Sequence, residues 1–124
     1  RSSAASDVYK RQAHERDPNN VTIAFTVGIN ALEKGKDTVI LLLSDAVHLG
    51  AKGYGDKIDI GAPFKPVREL IDTFIAKGGR IAVCSSCMQH NGVSEESLYP
   101  EAEIVTASFI TESLFASQRQ LQLN

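Results

Sequence analysis

The sequence RIAVCSSCMQHNG, residues 80–92, joins a short apolar run to a pair of cysteines. The run Ile81 to Val83 predicts a buried strand, and Cys84 and Cys87 follow where that strand gives way to a loop or helix. In an open α/β sheet, ligands and reactive groups collect beyond the carboxyl ends of the strands. These are the only cysteines in the chain, so this stretch predicts a thiol site at a strand end.

Helical and strand patterns alternate on both sides of this stretch. Asp17-Pro18 begins a helix that Gly35 ends, and the unbroken apolar run over 38–43 is typical of a strand buried on both faces. The other predicted elements are a loop over 44–63 with one helical turn at 46–49, a helix over 64–77, a helical turn over 94–98, a last helix that Ser108 caps and that runs through Ala116, and strands over 103–106 and 120–123. The order predicts an α/β protein, a three-layer α/β/α sandwich with a mainly parallel sheet of about five strands.

The first residues, RSSAASDVYKRQ, have little apolar periodicity and begin with Arg instead of Met. We therefore predict that residues 1–16 are a non-native leader or a disordered tail, and that 17–124 form a single domain. A foreign leader would mean that a native first strand is missing. The alternative is a native tail in which Val8 and Tyr9 belong to a short first strand.

Composition excludes several classes of function. The 124 residues are 43% hydrophobic and 23% charged with a formal net charge of −2, which fits one ordinary globular domain. The sequence has no stripe of basic residues of the kind that binds nucleic acid, and no apolar run approaches the roughly 20 residues that span a membrane. Two cysteines separated by two residues close too small a loop to stabilise a secreted fold. The sequence predicts a soluble cytoplasmic protein without a nucleic-acid or membrane partner.

A thiol at a strand end is stabilised as the reactive thiolate by the backbone N–H groups of a following turn or helix. Lowering a cysteine pKa from about 8.5 to about 7 raises the thiolate fraction at neutral pH roughly fifteenfold. Three other interpretations compete. First, a cysteine can be an inert residue that only packs in the core. Second, a zinc site made of Cys84, Cys87 and His90 would lack the fourth ligand that zinc normally requires. Third, Gly50 and Gly55 have the spacing of a nucleotide-binding phosphate loop, but Asp56 stands where that loop requires a lysine. We predict no cofactor and no metal.

Four motifs in this order resemble the DsrE/DsrF/TusD-like sulfur-relay family, also called YchN-like. They are ALEKGKD (31–37), LSDAVHL (43–49), CSSCMQHNGV (84–93) and LYPEAEIVTASFITESL (98–114). The resemblance implies that Cys84, eight residues before Gly92, carries sulfur as a persulfide, and that Cys87 is the second cysteine of a CxxC subset. It also makes Asp45 the family's acidic loop residue and implies a homo-oligomer, a trimer or hexamer. His90 and Asn91 replace the basic residues usual before the glycine.

The resulting prediction is a small cytoplasmic, sulfurtransferase-like carrier with catalytic residues Cys84 and Cys87. It would accept sulfane sulfur on Cys84 and pass it on, with sulfur donor and acceptor proteins that have reactive thiols as partners. Cys87 could resolve the persulfide or form a protective disulfide. One alternative is a dithiol-disulfide redox protein, although no proline between Pro66 and Pro100 supplies the cis-proline that thioredoxins need. A second alternative is a non-catalytic oligomeric binding module.

Overall fold

The computed structural model describes residues 2–4 and 18–117, which contain a four-stranded parallel sheet. Its strands lie in the order β1-β2-β3-β4. They are β1 (Ser2–Ala4), β2 (Thr38–Leu42), β3 (Arg80–Cys84) and β4 (Glu103–Val105). The predicted α/β class with a parallel sheet is confirmed.

The number of strands differs from the prediction of about five. Three strands lie within residues 18–117, and β1 adds a three-residue edge that pairs Ser2 with Thr38 and Ala4 with Ile40. The strand predicted over 120–123 lies outside the described residues, as do Val8 and Tyr9. The three layers and the assignment of 1–16 as a leader stay predictions.

Two helices and β2 form the apolar region of the molecule. The helix α1 (Pro18–Glu33) buries Val21, Ala24, Phe25 and Gly28 at the predicted spacing, with Leu32 partly buried. The helix α2 (Val67–Ala76) packs on it through Phe74, whose ring meets that of Phe25 edge to face at 5.9 Å between centroids. All five residues of β2 are buried, as expected for an inner parallel strand.

The boundary of α2 corrects the prediction of a helix over 64–77. The backbone N–H of Phe64 bonds to the Gly61 carbonyl in a turn at 3.0 Å, and Pro66 is extended, so the first helical residue is Val67. A proline disfavours helical geometry in the residue before it, which explains why the apolar period at Phe64 does not extend the helix.

The chain beyond β2 forms two short 3-10 helices, Ser44–Gly50 and Tyr54–Lys57, where a loop with one helical turn was predicted. A third, Glu95–Ser97, lies in the predicted helical turn. The first and third are joined by backbone hydrogen bonds, from Lys52 N–H to the Ser97 carbonyl at 2.8 Å and from Tyr99 N–H to the Gly50 carbonyl at 2.9 Å. These bonds fix the segment after β2 against the segment before β4.

The last two helices follow β3 and β4 directly. They are α3 (Ser85–Asn91) and α4 (Ala107–Ala116). Thr106, and not the predicted Ser108, caps α4, because its hydroxyl accepts a hydrogen bond from the Phe109 N–H at 3.2 Å. Both helices therefore begin at the carboxyl edge of the sheet.

Candidate functional site

Cys84 is the last residue of β3 and the residue that precedes α3. Its backbone is extended, and Ser85 begins the helix without an intervening loop. The neighbouring strand places Val105 beside Cys84, and the thiol residue is only 7% exposed. Cys84 is thus largely covered by the surrounding protein.

Cys87 lies in the first turn of α3, next to Cys84, and both thiols are free. Burial raises the pKa of the Cys87 thiol, and a hydrogen bond to the Cys84 side chain raises it further. The Ser44 backbone acts in the opposite direction and lowers the pKa of Cys87. The upward effects prevail, so the pKa of Cys87 lies above its ordinary value and the thiol is mainly protonated at neutral pH.

Asn91 links α3 to the end of β2. Its side-chain amide donates to the Cys87 carbonyl at 2.9 Å and to the Ser44 carbonyl at 3.3 Å. Ser44 has a φ of 57°, the left-handed region that residues other than glycine seldom adopt. Asn91 thus holds an unusual backbone conformation against the helix that carries Cys87. We call Ser44, Cys84, Cys87 and Asn91 the thiol edge.

The roles of Ser44 and Asn91 were not predicted from the sequence. Asn91 was interpreted only as one of the two residues that replace the usual basic residues before Gly92, and Ser44 as the start of a loop. One signal was available, because Ser44 closely follows one apolar strand as Cys84 ends the next, and parallel strands end at one edge of a sheet. The second signal is the four-residue spacing of Cys87 and Asn91, which puts them on one face of a helix.

The other residues singled out by sequence have separate places. Asp45 lies half-buried in the 3-10 helix directly after Ser44, at the same edge of the sheet. Gly92 ends α3 with a φ of 70°, a conformation that favours glycine. His90 is exposed in the last turn of α3. Within the described ranges, no three His, Cys, Asp or Glu side chains gather as a metal-binding group, so His90 does not join the cysteines.

The loop glycines that imitate a phosphate loop serve packing. A methyl group on Gly50 would lie 3.1 Å from Val83 Cγ2 and 3.2 Å from Leu98 Cδ2. A methyl group on Gly55 would lie 3.1 Å from Val67 Cγ1. Each glycine therefore lets the segment after β2 approach the core closely, which is a physical reason for its presence that involves no nucleotide.

A cavity of about 280 Å³ lies along another face of α3. It is lined by Ser85, Met88, Gln89, Val93, Glu95 and Ile104. Ile104 is 40% exposed, an unusual state for a large apolar side chain in a strand. The helix thus presents Cys87 and Asn91 to the Ser44 backbone and a partly apolar surface elsewhere.

Fold and site together define an α/β protein with a thiol pair at the carboxyl edge of a parallel sheet. The sequence profile of the DsrE/DsrF-like family matches residues 6–123. The chain belongs to this family, as the resemblance of its motifs predicted.

Individual proteins are similar to this chain as well. An uncharacterized protein of Methanopyrus kandleri is 30% identical over 84 residues, which are 67% of this chain and 64% of that protein. The chain therefore spans less than two thirds of the length of that relative. The crystal structure of the YchN protein from E. coli has a TM-score of 0.71 at 16% identity, over 98% of this chain and 94% of the other. That likeness shows the YchN-like fold.

Among the residues that the structure describes, none of the helices has the length and apolar character needed to cross a membrane. The longest is α1, with 16 residues. At 1.5 Å per residue it would span about 24 Å, less than the roughly 30 Å of a hydrocarbon core.

Proposed function

We propose that this protein carries sulfane sulfur as a persulfide on Cys84, in the sulfur-relay role in which its family is implicated. The observation that carries the proposal is the place of Cys84, at the end of β3 and the start of α3 in a DsrE/DsrF-like domain. In the loading step, the Cys84 sulfur attacks the outer sulfur of a donor. The new S–S bond forms as the donor's own S–S bond breaks, and the donor leaves as a thiolate or a shortened polysulfide.

Burial supports carriage rather than free exchange. A persulfide on a residue that is only 7% exposed is largely covered by protein, which limits its reaction with thiols in solution. Partners with an extended reactive thiol could still reach it, which fits sulfur donor and acceptor proteins. The same proposal includes a cytoplasmic location and assembly into a trimer or hexamer. Light scattering measures the oligomeric state.

A dithiol-disulfide redox protein is the second candidate, and the contact between the two free thiols favours it. The two functions differ in which of the cysteines they require. A carrier needs only the sulfur of Cys84, whereas a redox pair is lost when either thiol is removed.

The test incubates Cys84→Ser and Cys87→Ser with inorganic polysulfide and measures persulfide as cyanide-labile sulfur. Mass spectrometry then locates an addition of about 32 Da, one sulfur atom. We expect no loading of Cys84→Ser and most of the loading retained in Cys87→Ser. Equal loss in both variants, or persulfide found on Cys87 alone, would overturn the assignment.

A further inference from the structure

The proposed carrier does not require Cys87, yet the structure holds this thiol beside the loaded one. Cys87 is half-buried and lies three residues after Cys84, in the first turn of the helix that begins directly after the strand end. Its backbone carbonyl accepts from Asn91, which also binds the Ser44 carbonyl at the end of β2. The position of Cys87 is therefore defined by two strand ends and not by α3 alone.

We propose that Cys87 discharges the persulfide on Cys84 and releases its outer sulfur as hydrosulfide. This inference rests on the proposed function, since it starts from a persulfide on Cys84. The Cys87 sulfur attacks Sγ of Cys84, forming a Cys84–Cys87 disulfide as the bond between Sγ and the outer sulfur breaks. The electron pair of that bond leaves with the outer sulfur as hydrosulfide. The proton of Cys87 is released to solvent or is taken up by the hydrosulfide. The sulfane sulfur is reduced by two electrons, and the two cysteines are oxidised to a disulfide.

The position of Cys87 decides which of the two persulfide sulfurs is attacked. Cys87 lies in the first turn of the helix that begins directly after Cys84, next to the strand end that carries Sγ, whereas the outer sulfur of a persulfide stands about 2 Å beyond Sγ. Attack on the outer sulfur would only move the persulfide to Cys87. Attack on Sγ expels sulfide and requires no movement of α3, because the cysteines bracket the first turn of one helix in a C-x-x-C arrangement.

The proton on Cys87 makes this discharge slow. A protonated thiol is a poor nucleophile, so the raised pKa of Cys87 slows the attack and lengthens the life of the persulfide on Cys84. Without an acceptor, the protein would lose its outer sulfur as hydrosulfide and remain in the Cys84–Cys87 disulfide form. A dithiol reductant must then restore the two thiols before the next loading.

The experiment loads the reduced wild-type chain, Cys87→Ser and Cys84→Ser with inorganic polysulfide and removes the excess by desalting. No reductant is added afterwards. Three quantities are followed over time: cyanide-labile sulfur, free sulfide, and the intact mass under non-reducing conditions. The Cys87→Ala variant is run in parallel, so that the result does not depend on one replacement side chain, and far-UV circular dichroism checks that each variant is folded.

We expect the wild-type persulfide to decay with release of about one sulfide for each persulfide, leaving a mass lower than that of the dithiol by two hydrogen atoms. In Cys87→Ser and Cys87→Ala, the persulfide should last at least about tenfold longer and release no sulfide. Equal lifetimes in wild type and both variants, or a disulfide between two chains, would overturn the inference. If folded wild type, Cys87→Ser and Cys87→Ala all failed to load Cys84, the proposed function itself would be overturned, which separates the two results.

Discussion

The apolar region is stabilised by the packing of buried side chains, whereas the thiol edge is held by hydrogen bonds. In the apolar region, Phe25 and Phe74 are almost wholly buried, and α1 approaches α2 so closely that a methyl group on Gly28 would lie 3.0 Å from the Phe74 ring. At the thiol edge, two hydrogen bonds from Asn91 hold a backbone conformation that costs on the order of 1 kcal/mol. We therefore expect substitutions in the apolar region to change mainly the free energy of unfolding, and substitutions at the thiol edge to change mainly the reactivity of the cysteines.

The largest expected effect is that of Phe74→Ala in the apolar region. Phe74 is fully buried and touches α1, and removing a buried phenyl ring costs about 3 to 5 kcal/mol of unfolding free energy. Urea unfolding followed by far-UV circular dichroism measures this. Phe115→Ala is the matched control, because Phe115 is 88% exposed and its loss should change stability by less than about 0.5 kcal/mol. A large effect of Phe115→Ala would instead place that ring in an interface between copies.

A smaller effect is expected from Asn91→Ala at the thiol edge. The variant loses two hydrogen bonds, each worth about 1 kcal/mol or less, so the fold should remain intact. The informative change is chemical. The Ser44 backbone lowers the pKa of Cys87, and without the amide that holds Ser44 in place the pKa of Cys87 should rise further.

The pH profile of Cys87 alkylation, measured in a Cys84→Ser background, tests this effect of Asn91. We expect the midpoint to move to higher pH in Asn91→Ala. Gln89→Ala, an exposed position on the same helix, provides the control and should leave the midpoint unchanged. A profile that is identical with and without Asn91 would show that the amide only supports the fold.

The same contrast explains what the sequence could predict. The strands β2 and β3 and the buried face of α1 follow from apolar runs and helical spacing, which are local patterns. The nearness of Cys84 and Cys87 follows from their three-residue separation. Family membership followed from the order of four motifs.

Other features could not be predicted, because they depend on contacts between distant segments or on competition between neighbours. Asn91 and Ser44 are 47 residues apart, and nothing in a serine indicates a positive φ. Thr106 and Ser108 are both capping residues, and the end of β4 decides between them. The start of α2 was predicted too early because the apolar period includes Phe64, whereas the proline at position 66 excludes it from the helix.

The smallest expected effect concerns the opposite end of β3, where Arg80 binds Glu103 of β4 through two hydrogen bonds of 2.8 and 2.9 Å. The hydrogen bond with Arg80 lowers the pKa of Glu103 below its usual value near 4.5. The ionised carboxylate therefore stabilises the fold above that pH, and the contribution is lost as the pH falls through the lower, folded pKa. Both side chains are more than two fifths exposed, so solvent screening limits the contribution to about 0.5 kcal/mol. Urea unfolding at pH 7 and at pH 3 should show Glu103→Gln slightly less stable than wild type at pH 7, with the gap narrowing at pH 3. Glu101→Gln, an exposed neighbour, should show no such narrowing, and a gap that widens in acid would reverse the sign assigned to Glu103.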